Sequence, residues 1–187
     1  MKKLKNIISL IALIVFVVVL LVSDKFLNTS APVTAAPMTT LDSCRIASYF
    51  SPDGGCEDAI VGVIDDTRRT LDCAIYTFTS REIAQALIRA HERGVSVRII
   101  NDRVQASDKY AKKRYLEKSG VPIRTHIGGG IFHNKFLVAD SITIITGSYN
   151  WTASANESNY ENIVIIESPA LAKTYEEQFG KLWDKFE

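Results

Sequence analysis

HNKFLVADSITIITGSYN, residues 133–150, combines two short apolar runs with polar groups at both ends. The runs are rich in β-branched and aromatic residues, which favour strands, and the Asp-Ser pair at 140–141 is typical of a turn. A two-residue turn there predicts a β-hairpin in which His133 lies opposite Ser148.

Four polar side chains of this predicted hairpin point to the same side. The same register places Lys135 opposite Thr146, and side chains two apart on a strand share a face. The side chains that converge are therefore those of His133, Lys135, Ser148 and Asn150. The other face carries apolar backing residues, namely Phe136, Val138, Ile142 and Ile144. A lysine cation beside neutral hydrogen-bond donors suits an anion with tetrahedral oxygens, of which phosphate is the commonest in substrates.

A carboxylate follows the hairpin in the segment NYENIVIIE, residues 159–167, where Glu161 begins another predicted strand. A carboxylate that accepts the Nδ1 proton of an imidazole fixes its tautomer and leaves Nε2 free to attack. Glu161 is therefore a candidate for orienting His133. A His-x-Lys pair alone is a weak signal, because an ordinary hairpin surface also carries such residues.

The chain before the hairpin alternates short apolar runs with amphipathic segments. The predicted strands are 45–50, 71–78, 95–101 and 121–127, and the predicted helices are 56–69, 80–94 and 106–120. A strand over 159–167 and a helix over 169–186 follow the hairpin. Apolar residues at a spacing of three to four let each helix cover one face of a sheet, so the alternation predicts α/β layers. At 187 residues, the chain suffices for one such domain.

The N-terminus carries three lysines followed by sixteen nearly unbroken apolar residues without a charge, 7–22. A secretory apolar region runs about 7–15 residues and a spanning helix needs roughly 17–25. Residues 1–35 are therefore expected to be a signal peptide cleaved after Ala35 or a membrane anchor, with residues 36–43 as a tether. In either case the remaining domain is expected outside the cytoplasm, in the periplasm, with membrane association through 7–22 if the anchor is retained.

Removal of residues 1–35 takes away four of 22 basic residues and one of 21 acidic residues, which leaves 18 and 20. Without a basic excess, any recognition of nucleic acid must rest on a local site.

The three cysteines differ in their predicted surroundings. Cys44 and Cys56 lie at loop or element-end positions and are candidates to pair in an oxidising compartment. Cys73 lies in an apolar strand and is expected to be a core thiol. The chain has no CxxC pair and its three histidines are scattered, so no zinc site is predicted.

The spacing within residues 133–150 matches the HxKx4Dx6GSxN signature of the phospholipase D superfamily. The chain resembles this superfamily, and in particular its small single-motif bacterial endonucleases, over about residues 41–187. The resemblance implies an α-β-α sandwich with a central mixed β-sheet, in a single catalytic domain over 44–187.

The resemblance also implies a role for each motif residue. His133 is the nucleophile that forms a phosphohistidine, and Glu161 orients it. Lys135 and Asn150 bind phosphate oxygens, and Ser148 assists. The structural residues of the motif are Asp140 and Gly147.

A site of this type needs a second imidazole to protonate the leaving oxygen, and the chain has one motif. His91 is expected on a helix surface, and His126 has no lysine two residues later, which makes it a weaker candidate. The resemblance and the single motif indicate a two-fold homodimer that brings two copies of His133 together. No metal or other cofactor is implied, because lysine and asparagine supply the charge stabilisation that metal ions give other phosphodiesterases.

The predicted substrate is DNA, with RNA as a second candidate, cleaved without sequence specificity. Candidate contacts to the phosphate backbone are Arg98, Arg103, Lys109, Lys112, Lys113 and Arg124. The basic segment 108–118 equally suits a solvated helix face. Two alternatives stay open: a phospholipase D-type hydrolase of headgroups such as cardiolipin, which a retained anchor favours, and a phosphate-binding module without activity. The intact set of predicted catalytic residues argues against the second.

Overall fold

Seven strands form one sheet in the computed structural model, which describes residues 44–186. The strands are β1 (Arg45–Ser51), β2 (Thr70–Ile75), β3 (Ser96–Asn101), β4 (Ile123–Thr125), β5 (Lys135–Ala139), β6 (Thr143–Gly147) and β7 (Glu161–Glu167). The helices of the described residues are α1 (Cys56–Asp66), α2 (Arg81–Glu92), α3 (Arg103–Ala106), α4 (Lys113–Lys118), α5 (Ala153–Glu157) and α6 (Pro169–Lys185). The predictions for residues 1–35 and 36–43 concern segments outside the described residues.

The sheet is mixed, as predicted. Its strand order is β1-β7-β6-β5-β2-β3-β4. The pairs β2–β3 and β3–β4 are parallel, and the other four pairs are antiparallel. The parallel half comes from the βα alternation in the first part of the chain, and the antiparallel half comes from the hairpin and β7.

Helices cover both faces of the sheet, which confirms the predicted α-β-α layers. On one face, the core includes Ile60 and Ile64 of α1 and Ile83 and Leu87 of α2. On the other face, Ala172 and Phe179 of α6 pack in a cluster with the apolar backing residues Phe136, Val138 and Ile144. The fourth predicted backing residue, Ile142, is instead 41% exposed at the hairpin turn.

The register of the β5–β6 hairpin differs by one residue from the predicted one. Phe136 pairs with Thr146, where the sequence predicted Lys135 opposite Thr146. Because β5 begins at Lys135 and β6 ends at Gly147, His133 and Ser148 both lie just outside the paired strands. The polar groups of the motif therefore meet beyond the strand ends.

The turn of the hairpin explains this shift. Asp140 and Ser141 both have positive φ, 54° and 60°, which is the backbone of a type I′ turn. The N–H of Ile142 donates to the carbonyl of Ala139 at 3.0 Å and closes the turn. The first strand pair is Ala139 with Thr143, so Ile142 is an extra, unpaired residue directly before β6, a bulge that moves the register by one.

The predicted helix over 106–120 is wrong, because the chain forms two short helices with a non-helical segment at 107–112. The carboxylate of Asp108 accepts the backbone N–H of Tyr110 at 2.7 Å, and such a local contact competes with helical hydrogen bonds. The sequence prediction also missed α5, which begins where the Thr152 hydroxyl accepts the N–H of Ala155 at 3.1 Å.

All three cysteines are free thiols. The predicted pairing of Cys44 with Cys56 is therefore wrong, and Cys56 is fully buried at the start of α1. Cys73 is a core thiol, as predicted, and burial raises its pKa well above the ordinary value. Within residues 44–186, no helix combines the length and the apolar character needed to cross a membrane.

Candidate active site

The predicted catalytic residues lie at or just beyond the ends of strands that meet at one edge of the sheet. Ile75, the last residue of β2, pairs with Lys135, the first residue of β5. Gly147, the last residue of β6, pairs with Ile163, two residues after Glu161 at the start of β7. Side chains that are distant in sequence therefore converge at this edge.

His133 and Lys135 share an aromatic neighbour, Tyr76. The exposed imidazole of His133 lies with its ring centroid 4.6 Å from that of Tyr76, at an angle of 60°. The Lys135 ammonium lies 5.2 Å from the same ring and donates to the His133 carbonyl at 3.2 Å. The tyrosine ring, directly after β2, thus contacts both predicted reactive groups.

The ammonium of Lys135 is partly desolvated. Burial lowers the pKa of Lys135, and the negative charge of Glu161 acts in the opposite direction. The Glu161 carboxylate also accepts the amide of Asn159 at 3.4 Å. Among the described residues, no hydrogen bond joins Glu161 to His133, so the orienting role of Glu161 stays a prediction while its electrostatic effect on Lys135 is present.

Gly147 and Ser148 join the motif to β7. A Cβ at Gly147 would lie 2.1 Å from the carbonyl oxygen of Asn162, so only glycine fits. That carbonyl accepts the N–H of Ser148 at 3.1 Å, and the Ser148 hydroxyl accepts the N–H of Asn162 at 3.2 Å. The serine hydroxyl is thereby fixed at the sheet edge and keeps its own proton for donation.

Asn150 is tied to the loop that follows β2. Its Oδ1 accepts the backbone N–H of Thr77 at 3.4 Å, which leaves the amide NH₂ as the donor group. The next carbonyl, that of Trp151, accepts the N–H groups of Thr79 and Ser80, both at 2.8 Å. These bonds bring Asn150 to the side of the edge where Tyr76 contacts His133.

Asp140 lies at the opposite end of the hairpin and binds backbone. Its carboxylate accepts the N–H groups of Arg68, Arg69 and Thr70 at 2.9, 2.7 and 3.0 Å. Burial acts to raise the pKa of Asp140, but these donors outweigh it and the pKa is lowered. The contacts support the structural role predicted for this residue.

Asp102 is a residue that the sequence reasoning missed. It is buried directly after β3, and its Oδ2 accepts the N–H of Phe132 at 2.9 Å, one residue before His133. Its Oδ1 accepts the N–H groups of Val104 and Gln105 at 2.9 and 3.2 Å. Burial opposes ionisation, but the backbone donors hold the pKa of Asp102 below its ordinary value. Asp102 therefore joins the end of β3 to the segment that carries the predicted nucleophile.

Gln105 in α3 extends this connection. Its amide donates to the Tyr76 hydroxyl at 3.3 Å, and the Thr77 hydroxyl contacts its Oε1 at 3.2 Å. The tyrosine that contacts His133 is thus itself held by α3. For Asp102, the sequence offered one signal of this role: an acidic residue directly after an apolar strand is a common N-cap of a helix.

The other histidines lie outside this site. The His126 ring packs against Phe132 and Phe186, with centroids 5.9 and 5.1 Å apart, and Nδ1 is 4.0 Å from the Asp102 carboxylate. The side chain of His126 is only 13% exposed, which indicates a packing role within the chain. His91 is half-buried on α2.

Two of the arginines that were predicted to contact substrate pack against α6 instead. Arg98 binds the Asp72 carboxylate through two nitrogens, at 2.8 and 2.7 Å, and lies 5.5 Å from the Trp183 ring. Arg124 donates to the Trp183 carbonyl and lies 4.5 Å from the same ring. Their guanidinium groups are committed to packing, so substrate contact by these two arginines is not supported. Arg103 and Lys109 are exposed and stay candidates.

Within residues 44–186, no three side chains of His, Cys, Asp or Glu are grouped as metal ligands.

A family model described as the cardiolipin synthase, phospholipase D-like domain matches residues 60–183. The chain is 35% identical over 156 residues to a phospholipase D of Rickettsia conorii, which covers 83% of this chain and 78% of that protein. It is 36% identical over 120 residues to a mitochondrial cardiolipin hydrolase of Xenopus laevis, which covers 64% of this chain and 57% of that protein.

Two solved structures share the fold. Nuc from Salmonella typhimurium, described as a phospholipase D family member, superimposes with a TM-score of 0.74 at 30% identity, covering 78% of this chain and 97% of Nuc. NucT from Helicobacter pylori superimposes with a TM-score of 0.72 at 23% identity, covering 77% of this chain and 98% of NucT, and shows the fold alone.

Proposed function

The chain belongs to the phospholipase D superfamily, and we propose that within it the protein is a nonspecific endonuclease that hydrolyses DNA, with RNA as a second candidate. Family membership makes it a phosphodiester hydrolase. The observation that carries the choice of a nucleic acid is the surface beside Asn150. Its lining combines hydroxyl and amide groups with one carboxylate and one aromatic ring, from Thr77, Gln105, Thr152, Ser154, Asp108 and Tyr110. Such groups suit a hydrated sugar-phosphate chain better than the acyl chains of a lipid.

In the proposed mechanism, the exposed imidazole of His133 attacks phosphorus and the bond to the leaving oxygen breaks. Lys135, Asn150 and Ser148 hold the non-bridging oxygens and stabilise the charge that develops on them. The partial desolvation of the Lys135 ammonium strengthens that interaction, because less water screens it. Water then attacks the phosphohistidine and releases the product, so the nucleophile is regenerated.

The leaving oxygen needs a proton, and the proposal assigns its delivery to the second copy of His133 in a two-fold homodimer. Lysine and asparagine donors, rather than a metal ion, carry the charge stabilisation. Location outside the cytoplasm, expected from residues 1–35, belongs to the same proposal.

A phospholipase D-type hydrolase of lipid headgroups is the second candidate. It is favoured by relatives named phospholipase D and mitochondrial cardiolipin hydrolase. The apolar run at 7–22 would hold such an enzyme at a membrane if it is retained as an anchor.

The experiment compares the two substrates directly. Purified protein is incubated with plasmid DNA and, separately, with cardiolipin vesicles, each with and without a chelator, and His133→Ala serves as the inactive control. The proposal expects the plasmid to be degraded whether or not chelator is present, and the lipid to be hydrolysed slowly or not at all. Rapid release of phosphatidic acid with intact plasmid would assign the lipid function instead. Loss of plasmid cleavage with chelator, restored by a divalent ion, would overturn the metal-free mechanism.

A further inference from the structure

A surface groove leads from the motif towards the non-helical segment between α3 and α4. Near the motif it is lined by Asn150 and Thr77, and its far end is lined by Tyr110. Tyr110 also lines a second depression, so the two depressions lie on either side of this tyrosine. The charged and aromatic side chains around the second depression are Arg81, Lys109, Tyr110, Lys112 and Tyr115.

The two tyrosines are unusually open for large side chains. Tyr110 is 63% exposed and Tyr115 is 42% exposed. The Asp108 carboxylate, which also lines the groove, accepts the N–H of Tyr110 and so shapes the turn that presents this ring. The Lys109 ammonium lies 4.6 Å from the Tyr110 ring centroid. Core packing therefore does not account for the position of Tyr110.

The cations beside the tyrosines are available to a ligand. Among the described residues, the ion pairs include neither Arg81, Lys109 nor Lys112, whereas the neighbouring Lys113 is paired with Glu117 at 3.4 Å. Exposed aromatic rings among unpaired cations are typical of binding sites for single-stranded nucleic acid, because any base can stack on a ring and any phosphate attracts a cation.

We propose that Tyr110 and Tyr115, with Arg81, Lys109 and Lys112, form a binding site for unpaired nucleotides, called here the tyrosine site. Bases of the strand stack on the rings, and the cations contact its backbone, while the adjoining phosphate lies at Lys135 and Asn150. The inference rests on the proposed nuclease function, to which it adds a preference for single strands, since paired bases within a duplex do not offer their faces to a ring.

The test measures binding without cleavage, in a His133→Ala background. Fluorescence anisotropy with a labelled single-stranded oligonucleotide and with a duplex of the same length gives the Kd of each. Tyr110→Ala is expected to weaken single-strand binding by about ten-fold, the loss of one base–aromatic stack, and to affect the duplex less. Tyr110→Phe keeps the ring and is expected to match the parent. Ile142→Ala, which removes an exposed apolar side chain at the far hairpin turn, is the control.

The outcomes separate the tyrosine site from the nuclease function. Unchanged single-strand affinity in the Tyr110→Ala, Tyr115→Ala double variant, or an equal loss in Tyr110→Phe, overturns the site. If this double variant sediments as a monomer whereas the parent sediments as a dimer, the tyrosine site is also overturned, because the tyrosines would then serve the subunit interface. In proteins that keep His133, the control Ile142→Ala is expected to leave hydrolysis of a small bis-aryl phosphodiester unchanged. If the parent binds neither oligonucleotide, the nuclease function itself fails, whereas binding that is insensitive to the tyrosines removes the site alone.

Discussion

At the scale of single residues, the Asp140 carboxylate is held by three backbone N–H groups of residues 68–70. Because its folded pKa is lowered, the stability that its charge contributes is fully present above the ordinary value of 3.8 and is lost as the pH falls through the folded value. We expect Asp140→Asn, which keeps an acceptor and tolerates the positive φ, to lower the free energy of unfolding at pH 7 by about 2 kcal/mol.

This difference between Asp140→Asn and wild type should shrink as the pH falls below 3.8 and disappear once it passes the lower folded pKa, where the folded wild type also loses the charge. Thermal unfolding followed by circular dichroism at neutral and acidic pH measures it, and His133→Ala, which removes an exposed side chain, is expected to unfold like wild type. A constant difference at every pH would show that the charge of Asp140 contributes nothing to stability.

Lys135 and Glu161 predict a second pH dependence. Lys135 loses its charge as the pH rises through its folded pKa, which burial lowers from 10.5, so activity should fall at a lower pH than an ordinary lysine would give. Glu161→Gln removes the charge that opposes this effect, and we expect it to move the alkaline limb of kcat/KM to still lower pH. A pH–rate profile on a small phosphodiester tests this, with Glu157→Gln on the exposed surface of α5 as control. An alkaline limb unmoved by Glu161→Gln would separate this carboxylate from Lys135.

At the scale of elements, the sequence predicts the existence of all seven strands, but it misplaces the register of the hairpin. Periodicity indicates where strands lie, whereas the bulge at Ile142 depends on the left-handed backbone of the two residues before it. The break at 107–112 has the same kind of cause, a side chain that binds nearby backbone. Hydrogen bonds between a side chain and nearby backbone hardly change the spacing of hydrophobic residues, so that spacing does not predict them.

Four of the catalytic candidates could be predicted because they lie at fixed intervals on or beside one hairpin, and Glu161 follows at the start of β7. Their supporting residues could not, because Tyr76, Asp102 and Gln105 reach the site from β2, β3 and α3. The strand order places β2 beside β5 and thereby brings Tyr76 to His133. The spacing of residues in the motif does not predict which strands are neighbours in the sheet.

The contact between β6 and β7 gives a prediction for a whole element. In Gly147→Ala, the new Cβ would lie 2.1 Å from the Asn162 carbonyl, so the strands must separate at the site. We expect a loss of stability of about 1–3 kcal/mol and nearly complete loss of turnover, because Ser148 moves with the strand end. Gly180→Ala is the matched control: nothing lies within 4 Å of its Cβ position on α6, so stability should rise by about 0.5–1 kcal/mol with activity unchanged. Normal turnover in Gly147→Ala would show that the site tolerates this displacement.

At the scale of the whole molecule, exposed apolar side chains flank the candidate site. Ile131, two residues before His133, is 64% exposed, and Tyr160, directly before Glu161, is 93% exposed. A second copy of the chain across this edge would cover them and supply the second imidazole. These exposures support the proposed homodimer, in which one composite site forms from both chains.

A shared site predicts how activity falls when wild-type and His133→Ala chains are mixed. A mixed dimer lacks either the attacking or the protonating imidazole, so only wild-type dimers should work. Equal mixing with free exchange gives about one quarter wild-type dimers, whereas independent sites would retain about one half of the activity.

The two proteins are refolded together with different tags, heterodimers are confirmed by tandem purification, and activity is measured against the mixing ratio. Asp140→Asn mixed with wild type is the control. This substitution is expected to affect stability only, and every chain in the mixture keeps its His133 imidazole. A quadratic fall with the wild-type fraction supports the shared site. A linear fall, or full activity in a monomer by sedimentation, would place the second acid within one chain, and His126, beside Asp102 and Phe132, would be the first residue to substitute.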